Sequence, residues 1–196
     1  MRIIRDTLFL DPYDRGAAAA IGNFDGVHLG HQAVIDIARA EARRLDVPLG
    51  VMTFEPHPRE FFAPDAPAFR LMSAETRAHR MAKLGVEKLY EVPFNTGLAA
   101  LTPREFAETV IHQRLGLTHI VVGADFRFGK GRAGSAEDLV AFGAELGFGV
   151  TVAELVELAQ GEVSSTAIRN ALTEGRPRDA ARMLGHLHRI DGEVLH

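Results

Sequence analysis

The chain contains no cysteine, so it has no disulfide framework and no thiolate metal site, and a reducing compartment, the cytoplasm, is expected. No apolar run approaches the roughly 20 residues that a membrane helix needs. Acidic residues interrupt the N-terminus, MRIIRDTLFLDPYDRG, before a signal-peptide core can form. An excess of positive charge is missing as well. With 22 basic and 26 acidic residues the formal net charge is −4, which argues against a general nucleic-acid surface. Polyanionic ligands would therefore need positive charge gathered locally. What is present, 46% hydrophobic and 24% charged residues in 196, is the balance of a globular chain of one domain, or one domain with a tail.

Apolar patterning sets the order of elements. Strands are expected at Arg2 to Ile4, Ala17 to Ile21, Val47 to Thr53, Glu87 to Val92, Thr118 to Val122 and Phe148 to Val152. Helices are expected from about Gly30 to Arg44, from a Ser73 cap to Leu84, from Thr102-Pro103-Glu105 to Gly116, and from Ser135 to Leu146. TFEPHPREFFAPDAP, with Pro56, Pro58, Pro64 and Pro67, reads as a long irregular loop ordered by Phe54, Phe61 and Phe62. The alternation predicts an α/β fold, a doubly wound parallel sheet with helices on both faces. Ligands in such sheets bind beyond the carboxyl ends of the strands, at the switch point.

Three loops fit that position. The first, IGNFDGVHLGHQAVI from Ile21 to Ile35, joins a strand to a helix N-terminus, which suits an anion, and puts His28 and His31 three residues apart at the mouth. A zinc reading of the histidines lacks a third ligand at a supporting spacing. The second, VVGADFRFGKGRAGS, is one residue too long for a Walker A loop and places its GxGxxG too far past the strand for a dinucleotide fingerprint. It is left as a glycine-loosened loop with Asp125, Arg127, Lys130 and Arg132 around Phe126 and Phe128, suited to a phosphorylated aromatic ligand. In the third, GEVSSTAIRNALTEG, Ser164 or Ser165 caps a helix ending at Gly175, with Arg169 one turn inside.

Asn23, Phe24, Asp25, Gly26, His28, Gly30 and His31 together resemble the signature of the HxGH nucleotidyltransferases, in the version carried by the FMN adenylyltransferase module of bacterial FAD synthetases. The TFEPHP loop and the other two loops follow in the same order as in that module. The resemblance implies a Rossmann-like nucleotidyltransferase fold and transfer of AMP from ATP to FMN, with Mg²⁺ and release of pyrophosphate. It implies that Gly22, Asn23, Phe24, His28 and His31 line the ATP site, with Asp125 near the nucleotide or Mg²⁺. Ser165, Thr166 and Arg169 would hold the triphosphate, and Phe54, His57, Pro58, Phe62 and Phe128 would face the flavin. His28, His31 and Arg169 are the expected catalytic set, as carriers of positive charge. Other expectations from the same residues are nucleotidyl transfer to a different phosphorylated small molecule, or a flavin-nucleotide binding module without turnover. Residues 1–186 are read as the adenylyltransferase domain. Residues 187–196, including RIDGEVLH, resemble only a linker and the first strand of a riboflavin kinase barrel, able to pair with a second copy of the chain. No kinase motif resembling GFPTAN is present in these residues, so no riboflavin phosphorylation is expected of them.

Overall fold

A computed structural model describes residues 1–154 and 163–190, with the backbone of 157–158 and 161–162. Six parallel strands form one sheet: β1 Arg2–Ile4, β2 Ala18–Ile21, β3 Leu49–Glu55, β4 Lys88–Pro93, β5 His119–Gly123 and β6 Gly149–Ala153. Their order is β1-β4-β3-β2-β5-β6, and it reverses direction between β2 and β5. That is the switch point, and the loops after β2 and β5 open beside each other there. Residues 157–158 and 161–162 make a separate antiparallel pair.

Strand alternation divides the core between the two faces. Ala19, Ile21, Met52, Ile120 and Val122 face one way, against the helices of 103–114 and 136–146. Ala18, Ala20, Val51, Leu89 and Val121 face the other, against α1 Leu29–Leu45 and α3 Ala74–Lys83. The run of fully buried alanines at Ala17 to Ala20 lets layers on both sides approach the central strand. The expected α/β architecture with helices on both faces is therefore present.

Three expectations need correction. The proline-rich loop contains a helical turn, α2 Pro58–Phe62. Pro58 occupies the first helical position, where its missing N–H costs nothing, while His57 Nδ1 accepts from Arg59 N at 3.0 Å and Glu60 accepts from His57 N at 3.2 Å. The helix begun by Thr102 starts as α5 Pro103–Glu105, after the short α4 Thr96–Ala100, but continues as a wider π-type coil over Phe106–Arg114. There Leu115 N–H bonds Val110 O, five residues back, and Phe106, Ala107, Val110 and Ile111 are buried together. Finally, after α6 Ala136–Leu146 and α7 Ser165–Thr173, an unanticipated α8 Pro177–Leu184 packs Ala180 and Leu184 on Leu71, Ile168 and Ala171. Residues 191–196, on which the expected kinase-strand remnant and its self-association rest, lie outside the described residues.

Beneath the sheet's carboxyl end lies an ion network with no sequence signal. Arg70 bridges Glu55 at 2.7 Å and Glu60 at 2.6 Å, and buried Arg77 reaches Glu55 at 2.9 Å and buried Glu91 at 3.6 Å. It ties α2 and the segment that follows it to β3 and β4. Among the described residues, no helix is long and apolar enough to cross a membrane.

Candidate active site

The loops at the switch point enclose one cavity of about 760 Å³. Gly22, Asn23, Phe24, Asp125, His28, His31, Ser165 and Arg169 line it, together with Phe54, His57, Pro58, Phe62 and Phe128. Thr166 does not line it and is exposed on α7. The sequence leaves the cap of α7 open between two serines. Ser164 caps it, accepting from Ala167 N at 3.2 Å, and Ser165 Oγ donates to Asp25 O at 2.8 Å.

His28 is the cap of α1: its Nδ1 accepts from His31 N at 3.3 Å, which leaves the proton of the neutral ring on Nε2. The two imidazoles stack with centroids 3.6 Å apart and planes 18° from parallel, and the buried Phe24 ring lies 5.1 Å from His31. Phe24 holds this position at φ 53°, in the left-handed region that only a well-determined loop keeps for a bulky residue. Burial, assisted by the Arg169 charge, pulls the His28 imidazole down to about 4. Burial and the neighbouring His28 hold His31 well below its ordinary value, and His31 Nδ1 is buried without a partner. Both rings are therefore neutral near pH 7 in the free protein. The expectation of two positively charged histidines is corrected to two neutral imidazoles, each with one N–H.

This carries a stability consequence. Folded His28 titrates at about 4 and an unfolded imidazole at 6.5, so between those values the unfolded chain binds more protons. The His28 contribution should be complete above about pH 6.5 and be lost as the pH falls through 6.5 towards 4. Urea midpoints measured across that window should decline on acidification, and His28→Asn should flatten the decline by about one proton. Parallel curves for the two proteins would contradict the buried neutral ring.

Asp25, quoted in the signature but assigned no role, is the residue on which three segments converge. Its buried carboxylate accepts from Leu71 N at 2.9 Å through Oδ1 and from Arg169 Nη2 at 2.6 Å through Oδ2. Arg169 Nε donates to Phe69 O at 2.7 Å, and the guanidinium lies 5.2 Å over the Phe69 ring. Arg169 is thus already paired with Asp25 at the cavity wall. It is half-buried and paired, and it docks α7 against the signature loop and the segment before α3.

The opposite half of the cavity is a series of rings. Phe62, Phe94, Phe54, Phe106, Phe128 and Phe126 succeed one another at centroid separations of 5.7, 5.9, 6.3, 5.5 and 5.8 Å. One end of the site is therefore built from helix N-termini, hydroxyls and imidazoles, and the other from aromatic faces. That pairing suits an anionic chain at one end and a flat ring system at the other. His57 belongs to the wall between them. It caps α2, its ring meets Phe69 edge-on at 4.9 Å, and burial is the main cause that lowers its pKa.

Residues 10–167 match the FAD synthetase family. The chain belongs to that family. Among its FAD synthetase relatives, the bifunctional riboflavin kinase/FMN adenylyltransferase of Pseudomonas fluorescens is 43% identical over 196 residues, covering 100% of this chain and 63% of that protein. The Escherichia coli (strain K12) protein of the same name is 38% identical over 181 residues, covering 92% and 58%. The chain spans about three-fifths of the length of these curated relatives. Among solved structures, a macrolide-efflux protein from Streptococcus pneumoniae superposes with TM-score 0.83 at 29% identity, over 95% of this chain and 62% of that one. A pantoate-β-alanine ligase from Thermus thermophilus shares the fold alone, with TM-score 0.53 at 17% identity over 94% and 81%.

Several lining residues escaped the sequence reading. Phe94 lies just beyond β4 and Phe106 follows the Pro103 helix start, so the rule placing ligands at strand carboxyl ends could have found the first. Phe69 and Arg59 carried no local signal.

Proposed function

We propose that the chain transfers the adenylyl group of ATP to FMN, giving FAD and pyrophosphate. The observation that carries the reading is the single cavity whose phosphate-type end, at the mouth of α1 and α7, adjoins a continuous aromatic half. A phosphate oxygen of FMN attacks the α-phosphorus of ATP in line, the bond from that phosphorus to the β-phosphate bridging oxygen breaks, and pyrophosphate leaves with the electron pair. The FMN phosphate is already ionised near neutral pH, so no general base is required and no covalent enzyme intermediate forms. The chain contributes position and fixed dipoles. His28 and His31 donate hydrogen bonds to phosphate oxygens that gain charge, the first amides of α1 add to them, and Ser164 and Ser165 at the start of α7 face the departing end.

Magnesium fits as a companion of the triphosphate rather than as a resident ion. Among the described residues, no three carboxylates or histidines form a cluster that could hold a metal. Both Asp25 oxygens are taken by Leu71 and Arg169, which leaves the exposed Asp125 and Glu154 as the lining carboxylates open to a phosphate-bound ion. An ion carried there would neutralise phosphate charge.

The test is to incubate the protein with ATP, Mg²⁺ and either FMN or riboflavin and to separate the flavins chromatographically. FAD is expected from FMN and not from riboflavin. Bound FMN without FAD or pyrophosphate would refute the reading in favour of a binding module.

A further inference from the structure

We infer that Arg59 is the residue that recognises the phosphate of the flavin acceptor and so makes the site selective for a flavin phosphomonoester over an uncharged flavin. The inference rests on the adenylyltransferase reading and deepens it. The other arginines around this wall of the cavity are already committed: Arg70 to Glu55 and Glu60, Arg77 to Glu55, and Arg169 to Asp25. Arg59 is different. It lines the cavity from the exposed side of α2, its guanidinium lies 4.5 Å over the Phe69 ring, and it makes no ion pair with a carboxylate among the described residues.

Its place in the cavity decides which anion it serves. Phe69 carries the Arg59 guanidinium and, at 5.2 Å, that of Arg169 on the same ring, and meets the His57 ring at its edge. Arg59 therefore stands where the aromatic half meets the phosphate half, on the short helix that also carries Phe62. A flat ring system lying along Phe62, Phe94 and Phe54 would place a phosphate at the end of its side chain at this junction. The triphosphate end, by contrast, is built from α1 and α7. An aromatic ring beneath a guanidinium fixes its plane while its N–H groups stay free at the edge, which suits bidentate contact with a phosphate dianion.

The test uses the full chain and two variants, Arg59→Ala and Arg59→Lys, with Arg127→Ala as a comparison on the opposite wall. Flavin fluorescence quenching gives affinities for FMN and riboflavin, and steady-state assays give KM for FMN and ATP. Arg59→Ala should weaken FMN binding about tenfold, in line with loss of one charge-assisted contact, and leave riboflavin affinity and the KM for ATP unchanged. Arg59→Lys should recover part of the loss, because the charge returns without the fork. Equal weakening of FMN and riboflavin, an unchanged FMN affinity, or a loss seen in Arg127→Ala instead would overturn the assignment. If the unmodified protein binds FMN selectively through Arg59 yet forms no FAD, the transferase reading falls while the phosphate contact stands. If it binds neither flavin, both fall.

Discussion

Replacing Asp25 by alanine should lower the unfolding free energy by about 3 kcal/mol and raise the KM for ATP at least tenfold. The first figure is at the low end for breaking a buried ion pair because Arg169, with its side chain 22% exposed, can turn part of its charge to water. The Leu71 N–H, which Asp25 Oδ1 accepts at 2.9 Å, has no such escape and loses its partner inside the protein. The effect on ATP follows from what the carboxylate holds together. Without it, Arg169 and the segment at Phe69 to Leu71 lose their carboxylate anchor on the signature loop, and the start of α7 is left to the Ser165 Oγ bond to Asp25 O, a looser hold on its position against α1. Asp25→Asn should fall between the two proteins, since an amide offers one oxygen where two donors converge. Adding Arg169→Leu to Asp25→Ala should cost less than the sum of the single changes, because the two residues share one interaction. Urea denaturation and initial rates against ATP concentration check all of this, and an unchanged midpoint in Asp25→Ala would remove Asp25 from its central role.

His31→Ala should do the reverse: leave the urea midpoint nearly where it was and reduce turnover by about 10² to 10³, the usual cost of one oriented donor to a charge that develops in the transition state. The ring is only half-buried and stacks on His28 across 3.6 Å, so truncation opens space at the cavity wall and not in the core. Because burial keeps both imidazoles neutral near pH 7, turnover should be flat between about pH 6 and 8, and His31→Gln, a neutral donor, should retain part of the rate. Single-turnover measurements separate this step from product release. A rate that climbs on acidification towards pH 6 would mean that the imidazolium is the active form, and unchanged turnover in His31→Ala would take His31 out of the chemistry.

What the sequence made legible was whatever is written in local pattern. The six strands follow from apolar runs between turn residues, the helix starts from Ser73, Thr102 and Ser135, and the three loops from their glycines and charges. Pattern also misleads where one residue type has two meanings. Pro58 reads as forbidding structure, yet a proline at the first position of a helix favours it, and Pro177 opens α8 in the same way, with Gly185 as its stop. Relations between distant residues were out of reach. Arg169 lies 144 positions from Asp25, and nothing in VSSTAIRN says that its charge is already spent there. The histidines show the same limit: their types were visible, but neutrality is set by burial, which depends on every segment packed around them.

The signature loop is also bound to residues far along the chain. Gln32 Nε2 donates to Val27 O and, across 152 positions, to Leu184 O, and His186 Nε2 reaches Gly26 O across 160. A methyl group at Gly26 would come within 2.8 Å of Leu71 and 3.2 Å of Leu184, so helix and loop fit without slack. On the ribosome α8 follows the loop on the order of ten seconds later at ordinary elongation rates. The histidines are thus made well before the helix that completes their surroundings. A nascent chain stalled before residue 177 would carry the whole histidine signature without the wall against which it sets.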